Sequence, residues 1–368
     1  MMSSGERNRV QGREDPLRSQ RADFARIQPP LLPSRPRHST HPDAPGTLRA
    51  NNGSTTAVSV DQQLIDHLLA DCHATNRQLA QLTGISESAV SIRLKKLLSA
   101  GSLVFTALID WEMAGFEWFV IVRMRTMNRA PIDVATTIGE LDNCEAVAVV
   151  LGTYDLVAYF LVRDSTELHE LINRDLPSIA GVAEIVTDIA TETAVTTRGR
   201  QFFMVQNAPP IRLPAPALDV DDLDIAVIQA LVTDSRQSSR AIARNLGVAE
   251  GTIRARIDRL DRGGLCRIVA MAEPISMGYA GVIANVSLTV DRTALGSIRE
   301  KLLAMPETVF LATTIGPAAL ILTLTADDQH QLLELVARDI RAIPGVNGTE
   351  TLPMMDVVRF SPYLKRLP

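Results

Sequence analysis

Cysteine is nearly missing from this chain: Cys72, Cys144 and Cys266 are the only three in 368 residues, and they lie far apart. Such spacing supports neither a disulfide framework nor a metal-ligand set, so reduced core thiols and no metal site are expected. Histidine is sparse as well, and His73, His169 and His330 show no triad or metal spacing. No catalytic constellation and no cofactor follow from them. Aromatic residues make up 4% of a chain that is 46% hydrophobic, so its cores are mainly aliphatic. Long apolar runs are also lacking, since the nearest candidate, Ala146–Val162, is broken by Gly152 and Asp155. No membrane span is expected. The first residues lack the apolar core of a signal peptide, which together with the thiols predicts a cytoplasmic protein.

An excess of basic charge is missing too, for the net charge is −5. That sum does not exclude a nucleic-acid partner, because binding depends on the local field. Between Arg236 and Arg267, eight arginines stand against Glu250, Asp258 and Asp261, a window of +5.

What the chain does contain is the same unit twice. Val60–Phe116 lies over Leu223–Tyr279 without a gap after a shift of 163 positions, so that Asp61, Arg77, Gly84, Arg93 and Gly101 recur as Asp224, Arg240, Gly247, Arg256 and Gly264. A period this long marks duplicated domains; solenoid repeats run to roughly 20–50 residues. Residues 1–57, rich in Arg and Pro without Lys, read as a disordered tail, and 201–218 as a Pro-rich linker. Between and after them fall 58–105, 106–200, 219–268 and 269–368.

Residues 58–105 and 219–268 each pattern as three helices. Leu64, Ile65, Leu68 and Leu69 stripe the first; Thr75 is placed to cap a second that ends at Gly84; Ser86 is placed to cap a third from Glu87 to about Ala100. The counterparts are Asp224–Val232, Ser238–Asn245 and Ala249–Gly263, each read as capped. Two short helices joined by a Gly-containing turn form the helix-turn-helix signature. At about 100° per residue, Val90, Leu94 and Leu97 face the core while Ser88, Ser91, Ile92, Lys95 and Lys96 face outward. Ser86, Ser88, Ser91, Lys95 and Lys96 suit phosphate and base-edge hydrogen bonds, and Ile92 suits a thymine methyl. Arg93 sits at the boundary, within reach of a phosphate. In the second copy Thr252, Arg254, Arg256 and Arg259 are the matching candidates, while Asp258 stands where Lys95 stood and opposes binding.

After each head, alternating strands and helices follow the order βαββαβ, the ferredoxin-like motif. The first copy is expected at Phe116–Arg125, Ile132–Leu141, Glu145–Leu151, Leu156–Val162, Ser165–Ile179 and Ala183–Thr191. The second is expected at Val282–Val290, Leu295–Ala304, Thr308–Ile315, Ala319–Thr325, Asp327–Ala342 and Val346–Leu352. The fold class is thus α+β, two winged-helix-like helix-turn-helix domains, each followed by a ferredoxin-like domain.

This order, with the runs RQLAQLTGISESAVSIRLKKLLSAG, VVLGTYDLV and IAGVAEIVTDIAT and their weaker echoes in the second half, resembles the Lrp/AsnC (feast/famine) family of transcriptional regulators. The resemblance implies a duplex-DNA partner, an amino-acid effector and pairing through the βαββαβ sheets. With two units in one chain, it implies an internal pseudo-dimer, with further homo-oligomerisation. It also places an effector at a Gly-x-x-Asp turn after the second strand, here Gly152, Thr153, Tyr154 and Asp155; the second copy reads Gly316-Pro317-Ala318-Ala319 and lacks the acid. Hairpin turns need Gly, Thr and Asp in any case. Siroheme decarboxylases share the architecture but carry a His-Cys-Tyr-Arg segment where this chain has Asn143-Cys144-Glu145-Ala146 and Glu307-Thr308-Val309-Phe310. An assembly module with degenerate heads is the third reading.

Overall fold

The computed structural model describes residues 26–30, 59–202, 208, 210–274 and 280–367. The first head is α1 (Val60–Ala70), α2 (Asn76–Thr83) and α3 (Glu87–Ser99). Ser59 caps α1, Thr75 and Gln78 form a reciprocal capping box on α2, and the Ser86 hydroxyl accepts from the Ala89 N–H to cap α3. Gly84 turns the chain between α2 and α3 at φ 72°, and its counterpart Gly247 does so at φ 69°. A side chain there would be strained although nothing crowds it, so conformation alone demands glycine.

Strand β1 (Leu103–Asp110) leads to the first sheet domain: β2 (Trp118–Thr126), α4 (Pro131–Gly139), β3 (Cys144–Val150), β4 (Leu156–Val162), α5 (Ser165–Glu170) and β5 (Val182–Val195), followed by α6 (Thr197–Gln201). The second half repeats it as α7 (Asp222–Thr233), α8 (Ser239–Leu246), α9 (Glu250–Arg262), β6 (Cys266–Ala272), β7 (Val282–Val290), α10 (Leu295–Ala304), β8 (Thr308–Ile315), β9 (Leu320–Ala326), α11 (Gln329–Glu334) and β10 (Val346–Phe360). A short β11 (Leu364–Lys365) closes it. Both long helices of the sheet domains widen into π-type turns, at Leu171–Asp175 and Leu335–Ile340.

The two sheets join edge to edge into one closed barrel in the order β8-β9-β7-β10-β3-β4-β2-β5. The seams are related by the same shift of 163: Leu311 faces Ala194, and their equivalents Ala148 and Val357 face each other. This is an internal pseudo-dimer. It also explains why β5 and β10 outrun their expected ends at Thr191 and Leu352. The extra residues pair with the opposite half, and no local pattern announces a partner that distant.

A second ribbon locks the heads. β1 pairs antiparallel with β6, with Thr106 facing Val269, its own counterpart 163 residues on, so the pseudo-two-fold axis passes between them. Each strand packs against the other half's head, Ala270 and Ala272 with the first and Ala107 and Ile109 with the second. The Thr106 hydroxyl donates to the Val232 carbonyl, and the Cys72 thiol lies 3.6 Å from the Ile268 carbonyl.

Two expectations are corrected. Within the tail read as disordered, Arg26–Ile27 pairs with Ile211–Arg212, Ile27 is buried on the second head, and Gln28 exchanges two 2.7 Å hydrogen bonds with Gln229. The linker is likewise packed, with Ile211 and Leu213 buried and the Ala215 and Ala217 N–H groups donating to the Ala114 and Met113 carbonyls. Isolated apolar residues among prolines carry no period, which hid both; the rest of the tail lies outside the described residues. The second correction concerns α9, whose N-cap is Ala249 with no side-chain hydrogen bond, so this helix is not capped as α3 is.

Candidate nucleic-acid interface and effector turn

Val90, Leu94 and Leu97 bury one stripe of α3 against α1 and α2, which turns the opposite face outward. Ser86, Ser88, Lys95 and Lys96 are exposed on it, Ser91 is half-buried, and Ile92 is 70% exposed. Ser86 and Ser88 have hydroxyls 3.0 Å apart. Lys95 and Lys96 have no carboxylate partner among the described residues. The chain has four lysines, so two adjacent ones on this face are a concentration of mobile positive charge.

Arg93 is ion-paired within its own head. Its guanidinium is held 2.7 Å from Asp61, on α1 of the same head, and so staples α3 to α1. The duplication preserves the staple: Arg256 lies 2.8 Å from Asp224 and 2.7 Å from Asp221. Arg259 also bonds Asp224 and donates to the Asp219 carbonyl. Asp224 is fully buried, so its two arginines answer a desolvated charge and are structural. Arg256 and Arg259 thus hold the second head together, and their charge in the +5 window is answered by Asp221 and Asp224. Arg254 pairs with Glu250 one turn away, Arg262 with Asp258 and Arg267 with Asp261.

In the second head, Thr252 and Arg254 remain exposed on α9. Exposed cations of this head without a carboxylate among the described residues are Arg236, which donates to the Ala74 carbonyl and lies over the Phe105 ring, and Arg240 and Arg244 on α8; Arg77 on α2 matches Arg240. The recurrence of Arg77 as Arg240 is the sequence signal for the α8 pair.

The Gly152–Asp155 turn joins β3 to β4 and meets the other half's β10. Gly152 takes φ 141° and a Cβ there would meet the Leu352 side chain, so glycine is required by conformation and by space. Asp155 accepts from the Thr126 N–H at 2.7 Å and the Thr126 hydroxyl at 3.2 Å through one oxygen. Arg125 donates to the Thr153 carbonyl, and the Tyr154 ring lies between Arg123 at 5.3 Å and Arg125 at 5.9 Å. Arg123 itself bridges Asp188 and Glu350 at 2.6 Å each, across the two halves. Burial disfavours the Arg123 charge, but Asp188 and Glu350 outweigh it and raise its pKa. At the second turn the missing acid is supplied from across the barrel, where Asp188 accepts from the Ala318 N–H at 2.9 Å.

No group of His, Cys, Asp and Glu fit to hold a metal ion occurs among the described residues, and none of the described helices is long and apolar enough to cross a membrane. Residues 143–146 and 307–310 hold no histidine or arginine.

The chain resembles known proteins along most of its length. The Lrp/AsnC ligand binding domain matches residues 118–199 and again 282–364. A winged helix-turn-helix DNA-binding domain matches 59–101, and an AsnC-type helix-turn-helix domain matches 220–261. Among curated relatives, an uncharacterized HTH-type transcriptional regulator of Pyrococcus abyssi is 28% identical over 144 residues, 39% of this chain and 90% of the relative. HTH-type transcriptional regulator AldR of Mycolicibacterium smegmatis is 29% identical over 147 residues, 39% of this chain and 85% of its own. Each such relative spans about two fifths of the chain. A solved structure of the siroheme decarboxylase NirDL superposes with a TM-score of 0.56 at 12% identity, covering 82% of this chain and 93% of that one, a likeness of fold alone. Two DNA-binding and two ligand-binding matches thus alternate along one polypeptide: the chain belongs to the Lrp/AsnC family of helix-turn-helix transcriptional regulators and carries the family's unit twice.

Proposed function

We propose that this regulator reads duplex DNA unequally with its two heads, the first dominating. Lys95 and Lys96 contact phosphates there, Ser88, Ser91 and Ile92 meet base edges, and Ser86 holds the helix N-terminus toward the backbone. The second head adds Thr252 and Arg254 and, through α8, Arg240 and Arg244. The observation that carries this reading is the contrast in ion pairing: α3 exposes two lysines with no acid partner, whereas α9 engages its arginines with Glu250, Asp258 and Asp224. Surface pairs such as Arg254–Glu250 are worth about 0.3–0.5 kcal/mol and open readily, but the buried Asp224 does not release its arginines.

Affinity measured against salt tests this. Each neutralised phosphate adds about 0.9 to the slope of log affinity on log salt, so Lys95→Ala with Lys96→Ala should flatten the slope by about 2 and weaken binding to every sequence. Arg240→Ala with Arg244→Ala should do less. Equal losses from the two double variants would overturn the inequality.

An amino-acid effector at the Gly152–Asp155 turn is the second element of the proposal. It is supported by the exposure of Gly152 and Thr153 beside the Arg123, Tyr154 and Arg125 stack. The internal pseudo-dimer leaves association of whole chains as a further proposal, by analogy with the family's sheet pairing.

A further inference from the structure

The barrel interior is filled near the two turns by Ile121, Val157, Ile321 and Leu352, but beneath the β1–β6 ribbon it leaves a half-open cavity of about 160 Å³. Phe119, Tyr159 and Phe310 form its aromatic wall, with the Phe119 and Phe310 rings 5.4 Å apart, and Trp111 and Phe202 cover it from the ribbon side. An apolar cavity of about 150 Å³ admits a benzene-sized molecule, so this one suits a ligand of roughly six to ten non-hydrogen atoms.

One end of the lining is cationic. Lys365 is buried, and its Nζ donates to the carbonyls of Gly199 at 2.7 Å and Phe202 at 3.1 Å, which leaves one of an ammonium's three donors open. Its charged neighbour is Arg200, which donates to the Val195 carbonyl. Among the described residues neither cation has a carboxylate partner. Burial and this like charge push the Lys365 amine down to about 7. Elsewhere in the lining, Glu145 Oε2 and Thr193 Oγ1 are buried without a hydrogen-bond partner. A buried cation without an anion in a largely carbon-lined space is costly unless something supplies that anion.

We propose that this cavity binds a small apolar monocarboxylate, with its ring or chain among Phe119, Tyr159 and Phe310 and its carboxylate on Lys365 Nζ. The carboxylate supplies the missing counter-ion, and the body displaces empty volume. An α-amino acid is disfavoured, since its ammonium, one carbon from the carboxylate, would stand close to the Lys365 ammonium. The cavity is thus separate from the Gly152–Asp155 turn in place and in ligand chemistry, and binding here does not depend on how the heads read DNA.

Benzoate and hexanoate are suitable probes, with benzyl alcohol as the neutral control, titrated into the full chain. The chain has two tryptophans, and the Trp118→Phe variant leaves Trp111 as a fluorescent reporter in the cavity wall. Saturable binding of both carboxylates is expected, with benzyl alcohol at least about tenfold weaker. Lys365→Met should remove that preference. Ala146→Phe, which fills the cavity while keeping Lys365, should abolish all binding and covers the case in which the lysine variant fails to fold. No saturable response up to about 10 mM, a benzyl alcohol affinity equal to that of benzoate, or parental binding in Ala146→Phe would each overturn the proposal.

Discussion

Glu145 and Lys365 are ionisable side chains in places that disfavour their charged forms, and the consequences for stability have opposite signs in pH. Burial raises the Glu145 carboxyl from 4.5 to about 7, so the folded chain holds this proton more tightly than the unfolded one. Its stabilising contribution is therefore full below about pH 4.5 and is lost as the pH rises to about 7. Lys365 falls from 10.5 to about 7, so its contribution is full above about 10.5 and is lost as the pH falls to about 7. Near neutrality both act against the fold. Glu145→Gln keeps the shape and removes the first effect. It should raise the melting temperature at pH 8, by an amount equivalent to at most about 3 kcal/mol, and leave it nearly unchanged at pH 4.5. Parallel melting curves for parent and variant across that range would show that Glu145 is not the group responsible.

At the scale of single elements, the turn at Gly152–Asp155 shows how a candidate ligand residue also holds structure. Asp155 accepts two bonds from Thr126, so truncating it would disturb the hairpin whether or not it meets a ligand. Asp155→Asn retains an acceptor and removes the charge. If the carboxylate pairs with an effector's ammonium, this change should weaken effector binding by about ten- to hundredfold while the melting temperature moves little. Calorimetry with whichever amino acid binds the parent chain measures it, and undiminished affinity would place the ammonium elsewhere. The helices and strands themselves were legible because each carries its own period: Leu156–Val162, Val282–Val290, Leu295–Ala304 and Thr308–Ile315 run as the residue pattern predicts. The helix faces were legible too, down to the exposure of Ile92. What stayed hidden depends on partners far along the chain. The Asp61–Arg93 and Asp224–Arg256 staples each span 32 positions, and Lys365 meets Gly199 across 166. Helical or strand periodicity carries no information at those separations.

For the whole molecule, the decisive feature is that a pairing made between chains by the family's single-unit members is made here within one. Head-to-head geometry is fixed by the β1–β6 ribbon, whose axis lies at Thr106 and Val269. Joining two binding modules in one body makes the second contact intramolecular, and overall avidity then exceeds single-head affinity by about 10²–10⁴ where both half-sites can be reached together. A proline at 269 would interrupt the ribbon at its axis, since proline cannot donate to a ladder and is poorly tolerated inside one. Val269→Pro should therefore lower affinity for a two-half-site operator by a large part of that avidity while leaving a single half-site almost unaffected. The barrel seams at Leu311–Ala194 and Ala148–Val357 are separate from the ribbon and should keep the two sheet domains joined. Circular dichroism would verify that the barrel persists, and gel shifts on one-site and two-site duplexes would read the two affinities. If the variant loses both in equal measure, or neither, the ribbon does not set the spacing of the heads.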